Sequence, residues 1–324
     1  MKNIGIRVLG GKGIGYGHYY RCLSLAIALG QVEKDINITF IINQELEDLI
    51  NNTEVEYIIN NEFEQDYNII DEREIDLFIV DSYLGSNEYL KMVKEKTKLM
   101  IIDDNNDIYD ASIPDIIYNG NIHAERLGYL EIEGQLKLLG PKYLIMKEEY
   151  WKKQDENIDK NGILITTGGT DDHGITVKIM DAIKNLAIKT RIIIGPGYYC
   201  DYIKNIEAIK TENMELIYKP PNLKKYIASS KIVITAGGST VYEVLSQNTI
   251  PIIFSIADNQ DLICKELSNI GIDYLGKYPS ISYDRLDELI GRYCYKNMIL
   301  KDGTLDLIGG QSTLSTAEII LSRI

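Results

Sequence analysis

No CxxC pair occurs among the four cysteines, Cys22, Cys200, Cys264 and Cys294, and their spacing fits no zinc site. In a chain of 324 residues they are expected as buried thiols rather than disulfides. No apolar run approaches the ~20 residues of a membrane span. Met1-Lys2-Asn3-Ile4 runs straight into a strand pattern, without the apolar stretch of a signal peptide, so cytoplasm is the expected compartment. Basic residues do not predominate: 34 Lys and Arg stand against 48 Asp and Glu, a net charge of −14. That sign argues against nucleic acid or an anionic membrane as the main partner, because both call for clustered cations. It leaves room for a locally positive phosphate pocket. Solenoid-period repeats and low-complexity tracts are absent too. What is present is a globular balance of 45% hydrophobic and 25% charged residues. Such a chain can bury a core, and its length suggests two domains.

Short apolar runs alternate with amphipathic stretches. Ile4–Leu9, Ile36–Ile42, Asp76–Val80, Lys98–Ile102 and Asp115–Tyr118 read as buried strands, with helical patterns such as Tyr19–Leu29 and Asn87–Glu95 among them. The rhythm restarts after Gly162. Gly162–Thr167, Thr190–Ile194, Met214–Tyr218, Lys231–Thr235, Ile250–Ile256 and Ile272–Leu275 read as strands. His173–Ala187, Leu223–Ser229, Thr240–Ser246 and Gln260–Asn269 read as helices. Such alternation means parallel sheets covered on both faces. The charged stretch Lys147–Lys160 suits a linker. The expected fold is α/β: two Rossmann-like doubly wound domains facing a cleft, over residues 1–150 and 151–310. A last amphipathic helix, Ser312–Leu321, falls in 311–324 and is open to crossing back. Ligands of doubly wound sheets sit at the carboxyl ends of the strands.

The first strand leads into glycines 10, 11, 13, 15 and 17, a loop whose backbone can approach a ligand closely. A helix then begins near Tyr19, with Leu23, Ala26, Ile27 and Leu29 on its buried side. Gly15 and Gly17, with the free N–H groups of that helix start, suit a diphosphate. His18 sits at the loop–helix junction, where an imidazole suits proton transfer near neutral pH. It reads equally as a capping or solvated histidine at this point. Arg21, one turn on, either lies at the same mouth or pairs a carboxylate.

The second half repeats the device. Lys231–Thr235 runs into Ala236–Leu245, AGGSTVYEVL. Gly237 and Gly238 let the backbone reach phosphate, and Ser239 and Thr240 add hydroxyls at a helix N-terminus. Glu243 can accept hydrogen bonds from both ribose hydroxyls, or act as a carboxylate in the helix dipole. After the proline strand come Asn259 and Gln260, which can bind a sugar or phosphate or cap the helix. Gly168–Gly174, GGTDDHG, opens the second domain and includes Gly169. Asp171 and Asp172 read as helix caps rather than metal ligands, and His173 as a solvated helix-start residue. No metal and no cofactor is expected.

Together these motifs resemble a known family. GxGHxxRCLSLA, then AGGSTxYExL…PxxFxxADNQ, are similar to the UDP-sugar hydrolases of pseudaminic acid synthesis. Those enzymes release UDP and free sugar from UDP-2,4-diacetamido-2,4,6-trideoxy-β-L-altropyranose. Val80–Leu90 resembles the family's Asp-x-Tyr segment, and Ile101–Asp107 with Pro114–Gly120 its Asp-Asp strand and Asn turn. The resemblance implies a glycosyltransferase-B fold and single-displacement hydrolysis with inversion, without metal. It implies that His18 handles the attacking water and that Asn259 shares the active site. Asp81, Tyr83, Arg21 and Gln260 would contact the sugar. Gly15, Gly17, Gly169, Gly237, Gly238, Ser239, Thr240 and Glu243 would hold UDP, with uracil near Pro220–Leu223. The substrate would be the one partner, taken by a monomer. Tyr19 and Tyr20 depart from the smaller aliphatic residues common in the family, which bears on sugar identity. The same motifs leave three other readings open: a glycosyltransferase, a hydrolysing epimerase and a non-catalytic UDP-sugar sensor. A dinucleotide-binding oxidoreductase fits the alternation but not the second motif.

Overall fold

The computed structural model describes residues 1–11, 13–151, 158–294 and 312–324. The chain divides into two compact units, Met1–Trp151 with Gln311–Ile324, and Lys152–Gly310.

The first unit contains β1 (Lys2–Val8), α1 (Gly17–Val32), β2 (Ile36–Ile42), α2 (Glu47–Ile50), β3 (Glu56–Ile59), α3 (Asp66–Glu72) and β4 (Leu77–Asp81). It continues with α4 (Asn87–Lys96), β5 (Lys98–Ile102), β6 (Ile116–Asn119) and β7 (Leu136–Leu139). The sheet order is β3-β2-β1-β4-β5-β6-β7, and every pairing is parallel. Apolar clusters cover both faces. Ile4, Ile6, Val8, Leu77, Ile79 and Met100 share one cluster with the buried stripe of α1, while Phe78, Val80 and Ile101 share the other with residues of α3 and α4.

The second unit contains β8 (Ile163–Thr166), α5 (Ile175–Ile183), β9 (Thr190–Ile194), α6 (Cys200–Ile209), β10 (Met214–Tyr218), α7 (Lys224–Ala228) and β11 (Ile232–Ala236). It closes with α8 (Ser239–Ser246), β12 (Ile250–Ser255), α9 (Asp258–Asn269), β13 (Asp273–Lys277) and α10 (Leu286–Cys294). Its order is β10-β9-β8-β11-β12-β13, again all parallel. In each unit the strand order reverses beside the first strand, at β1/β4 and at β8/β11. Connections leave in opposite directions there, which opens a crevice at the strand ends.

The last helix, α11 (Ser312–Leu321), belongs to the first unit. Ala317, Ile320 and Leu321 join the α1 core. Thr313 Oγ1 accepts the Met146 N–H at 2.9 Å, and Ser312 Oγ donates to the Leu144 carbonyl at 2.7 Å.

Four expectations need correction. The linker reading fails at its start: Tyr150 and Trp151 are buried, and Trp151 Nε1 donates to the Met146 carbonyl at 2.6 Å. Residues 152–157 of that stretch lie outside the described residues. Helix α1 begins at Gly17, so His18 lies inside its first turn. Ala26 and Leu29 are buried as expected, but Leu23 and Ile27 are only partly buried, and Cys22, Leu25 and Ala28 complete the covered stripe. Of the cysteines, Cys22 and Cys264 are buried, Cys294 is half-buried and Cys200 is exposed at the start of α6.

Candidate active site

The ends of β1, β4 and β5 lie side by side, and each contributes to one polar cluster. Positive φ at Gly11, Gly13 and Gly15 turns the chain after β1, closed by the Gly15 N–H donating to the Gly11 carbonyl at 2.8 Å. A side chain at Gly15 would be strained by that φ, although the space around it is open. Gly17 also faces open space and starts α1, whose N-terminus carries no side-chain cap.

His18 and Arg21 then project one helical turn apart toward Asp81, the last residue of β4. His18 Nδ1 lies 2.6 Å from Asp81 Oδ1. Arg21 Nε and Nη2 donate to Asp81 Oδ2 and Oδ1 at 2.9 and 2.8 Å. The Cys22 thiol adds a weaker donation to Oδ2 at 3.4 Å. Asp81 is therefore fully buried, with four donors on two oxygens. Burial alone would raise its carboxyl, but the Arg21 and His18 partners outweigh that and hold it well below the usual carboxylate range. A carboxylate facing Nδ1 at this distance requires the ring to donate, so the proton sits on Nδ1 and the lone pair on Nε2. The His18 side chain keeps 14% exposure, and Nε2 makes no hydrogen bond among the described residues.

Arg21 also grips Asp104, just beyond β5: Nη1 donates to Oδ1 at 2.8 Å and Nη2 to Oδ2 at 3.1 Å. Asn121 Nδ2 donates to Asp104 Oδ1 at 2.8 Å, and the Tyr83 hydroxyl donates to Oδ2. The Tyr83 ring meets His18 edge-on, with centroids 4.8 Å apart. Burial, then the Asp104 charge, push the Tyr83 hydroxyl far up, so it stays a donor. His123 is buried and hydrogen-bonds the Asp104 carbonyl through Nε2 at 2.9 Å.

This arrangement changes the expected roles. Asp81 is not placed to touch a sugar, because its oxygens are all engaged and none of it is exposed. It orients His18. Arg21 likewise pairs carboxylates. Residue type and spacing alone do not single out Asp104 or Asn121. The Asp-Asp strand and Asn turn mark their segments, but the 83-residue separation of Arg21 from Asp104 hides the pairing.

In the second unit the adjacent ends of β8, β11 and β12 carry the other motifs. The Gly237 N–H donates to the Phe254 carbonyl at 2.8 Å, tying the two strand ends together. A Cβ on Gly237 would lie 2.1 Å from Cys264 Sγ, so this glycine is a packing requirement. A Cβ on Gly238 would meet only Gln260 Nε2, at 3.8 Å. Gly238 caps α8, and no side chain caps that N-terminus; Ser239 is exposed there and Thr240 half-buried. Glu243 is buried further along α8. Asn259 is exposed in the first turn of α9, and its side chain makes no hydrogen bond among the described residues. Gln260 folds back on the chain before the helix: its Oε1 accepts the Ile256 N–H at 3.0 Å, which leaves Nε2 beside Gly238. Gly169, after β8, faces open space, and its carbonyl accepts the Gly197 N–H at 2.9 Å. Asp171 caps α5 through the Ile175 and Thr176 N–H groups at 2.8 and 2.7 Å. His173 is exposed and stacks on Tyr278, centroids 4.1 Å apart. Among the described residues no helix is long and apolar enough to cross a membrane.

No family model matches the chain. An uncharacterized protein of Methanocaldococcus jannaschii is 26% identical over 295 residues, which cover 85% of this chain and 58% of that one. A UDP-2,4-diacetamido-2,4,6-trideoxy-beta-L-altropyranose hydrolase of Campylobacter jejuni is 27% identical over 187 residues, 55% of this chain and 65% of that one. The chain thus spans less than two-thirds of either relative. Among solved structures, MurG of Acinetobacter baumannii superposes with a TM-score of 0.68 at 12% identity, over 99% of this chain and 100% of that one. The UDP-GlcNAc 2-epimerase of Neisseria meningitidis, bound to UDP-GlcNAc, gives 0.63 at 12% identity, over 100% of this chain and 99% of that one. At such identities the likeness is one of fold, and that fold is glycosyltransferase-B.

Proposed function

We propose that the chain is a UDP-sugar-processing enzyme working as a hydrolase: it releases UDP and the free sugar by attack of water at the anomeric carbon, with inversion. The observation that carries this reading is the His18–Asp81 pair. An imidazole with Nδ1 held by a buried carboxylate and Nε2 open is built to take a proton and to stabilise the imidazolium that results. Water is the simplest donor of that proton. The named hydrolase relative of Campylobacter jejuni supports the same chemistry and suggests the diacetamido-trideoxy-altropyranose as the sugar.

In this reading the second unit holds the nucleotide. The uncapped N-terminus of α8, with Gly238, Ser239 and Thr240, offers donors to the diphosphate as its charge grows. Gln260 Nε2 beside Gly238 adds one more donor. Glu243 takes the ribose hydroxyls, Asn259 offers its exposed amide to the substrate, and Gly169 leaves backbone room after β8. Gly15 and Gly17 do the same before α1. Tyr83 shapes the sugar side of His18. A glycosyltransferase would use the same histidine to deprotonate an acceptor hydroxyl, and the solved structures that share the fold keep that reading second.

The test is UDP release from UDP-2,4-diacetamido-2,4,6-trideoxy-β-L-altropyranose, with UDP-GlcNAc as control, for the wild type and His18→Ala. Selective hydrolysis of the first substrate, reduced about 10²–10⁴-fold in the variant, is expected. Turnover only when a sugar acceptor is added moves the assignment to transfer. Deuterium entering carbon two of the product moves it to epimerisation.

A further inference from the structure

The side chains expected to meet a sugar in the first unit are spent on one another. Asp81 is fully buried with both oxygens engaged, and the Tyr83 hydroxyl donates to Asp104 Oδ2. Arg21 gives Asp81 and Asp104 all its hydrogens but one, which stays on Nη1. Asn121 is spent only in part. It stands two residues beyond β6, half-buried, with its backbone pinned on both sides. Its N–H donates to Asn119 Oδ1 at 3.0 Å, and its carbonyl accepts the Ala124 N–H at 3.0 Å. Chemistry orients the amide. Burial raises the Asp104 carboxyl, but the Arg21 charge and hydrogen bonds outweigh that and hold it below its ordinary value, so it accepts and does not donate. Asn121 therefore turns Nδ2 to Asp104 Oδ1, at 2.8 Å, and its own Oδ1 away. Among the described residues nothing donates to that oxygen, and it is not sealed from solvent. Asp104 Oδ1 also takes Arg21 Nη1, at 2.8 Å. An oriented acceptor and an unspent donor thus meet on one carboxylate oxygen, in the cluster that holds His18.

A secondary amide carries the complementary pair, an N–H and a carbonyl. We infer that Asn121 is a substrate-binding residue that reads an acetamido group of the sugar, its Oδ1 accepting the acetamido N–H. This deepens the proposed function and rests on it. The substrate named for the Campylobacter jejuni relative is a diacetamido sugar. One neutral hydrogen bond is worth about three- to tenfold in affinity.

The test is a cycle between side chain and substrate. Wild type and Asn121→Ala are assayed for UDP release on the diacetamido-trideoxy-altropyranose nucleotide and on two analogues, each with one acetamido group replaced by hydrogen. Asn121→Ala also loses its contact to Asp104, but that loss weighs equally on all three compounds, and the cycle subtracts it. On the full substrate the variant is expected to lose about tenfold in kcat/KM, mostly through KM, with the Kd for UDP alone within about twofold. On one analogue the two proteins should agree within about twofold, and on the other the tenfold loss should persist. Equal losses on all three compounds overturn the inference and leave Asn121 a structural residue. Wild-type indifference to both deletions overturns it even if Asn121→Ala does not fold. If the wild type binds the compounds without releasing UDP, the hydrolase reading fails, and the same cycle run on Kd by calorimetry still decides the role of Asn121.

Discussion

Asp81→Asn probes the dyad with almost no change of shape. The native carboxylate is fully buried and takes donors from His18, twice from Arg21, and from Cys22. An amide offers one acceptor oxygen and brings two hydrogens of its own. If its nitrogen turns to His18, Nδ1 is forced to accept and Nε2 carries the proton. Arg21 donates to both oxygens, Nη2 to Oδ1 beside His18 and Nε to Oδ2, so in either orientation the new amide nitrogen meets an Arg21 donor in a buried site. Either way His18 loses its carboxylate partner, and the base is weakened or lost. Positioned proton transfer contributes about 10²–10⁴-fold, and the same swap behind a catalytic histidine in a Ser-His-Asp triad costs about 10⁴ in kcat. We expect a fall of about 10³-fold in kcat with the fold retained. Breaking a buried charge pair costs about 3–5 kcal/mol. Asp104 still neutralises Arg21, so the cost should lie near the low end, about 3 kcal/mol. The pH dependence has a definite sign. The folded Asp81 carboxyl is depressed, because Arg21 and His18 override its burial. Its contribution is therefore fully present above the ordinary carboxylate value of about 3.9 and lost as pH falls toward the folded value. Urea unfolding of both proteins should give a difference that is flat at neutral pH and shrinks only in strong acid. UDP release measured alongside gives kcat. A folded Asp81→Asn protein with kcat within about threefold of wild type would refute the dyad.

Other substitutions separate packing from binding. Gly237→Ala places a methyl 2.1 Å from Cys264 Sγ and should cost about 1–3 kcal/mol in urea unfolding, recovered in part by adding Cys264→Ala. Gly238→Ala meets only Gln260 Nε2, so stability should stay within about 0.5 kcal/mol, while UDP affinity measured by calorimetry falls about tenfold. Thr313→Ala leaves the Met146 N–H without its acceptor and should lower stability by about 1–3 kcal/mol in thermal unfolding. Burial pulls the Lys160 amine down to about 8, although it donates to Ala228, Gln247 and Thr249. The unfolded chain, with a lysine value of about 10.4, then binds more protons above pH 8, so this residue makes stability rise with pH from about 8 to 10. Lys160→Met should lack that slope, so the wild-type-minus-variant difference should carry it; a flat difference would count against the burial effect.

What the sequence made legible follows the range of the interactions. Strands β2, β5, β9 and β10 span the residues that their apolar runs mark. Each is bounded by clear turn or helix signals. Strands β3 and β7 escape that reading because they are short, partly exposed edge strands in which Glu56 and Lys137 interrupt the apolar pattern. Helix α6 escapes it because charged and polar residues dilute its stripe, with only Ile206 buried, whereas α10 carries a regular buried stripe of Leu286, Leu289, Ile290 and Tyr293 on a short helix. Within the site, the glycine loop and His18 are local features, and the sequence exposes them. The burial of Asp81 is not local. It depends on α1 crossing β4 so that His18, Arg21 and Cys22 converge on one strand end, and no single-segment pattern carries that information.

The same dependence on convergence bears on hydrolysis against transfer. A histidine fixed at Nδ1 can deprotonate water or an acceptor hydroxyl with equal ease, so the dyad alone does not choose the nucleophile. The choice turns on what fills the space beside Nε2. Tyr83 closes one side of the His18 ring edge-on, and its hydroxyl is turned away to Asp104 rather than toward a substrate. Tyr20, two residues beyond His18, lies on another face of the helix, against Tyr19 and under the Lys147 ammonium. The one aromatic ring packed on the imidazole among the described residues favours a small nucleophile over a sugar hydroxyl carried on a ring. That steric argument places the burden on Tyr83: Tyr83→Ala should raise transfer to an added glycerol acceptor relative to hydrolysis, while Tyr83→Phe, which keeps the ring, should leave the ratio within about threefold of wild type. A ratio unchanged in a folded Tyr83→Ala protein would show that this ring does not limit the nucleophile.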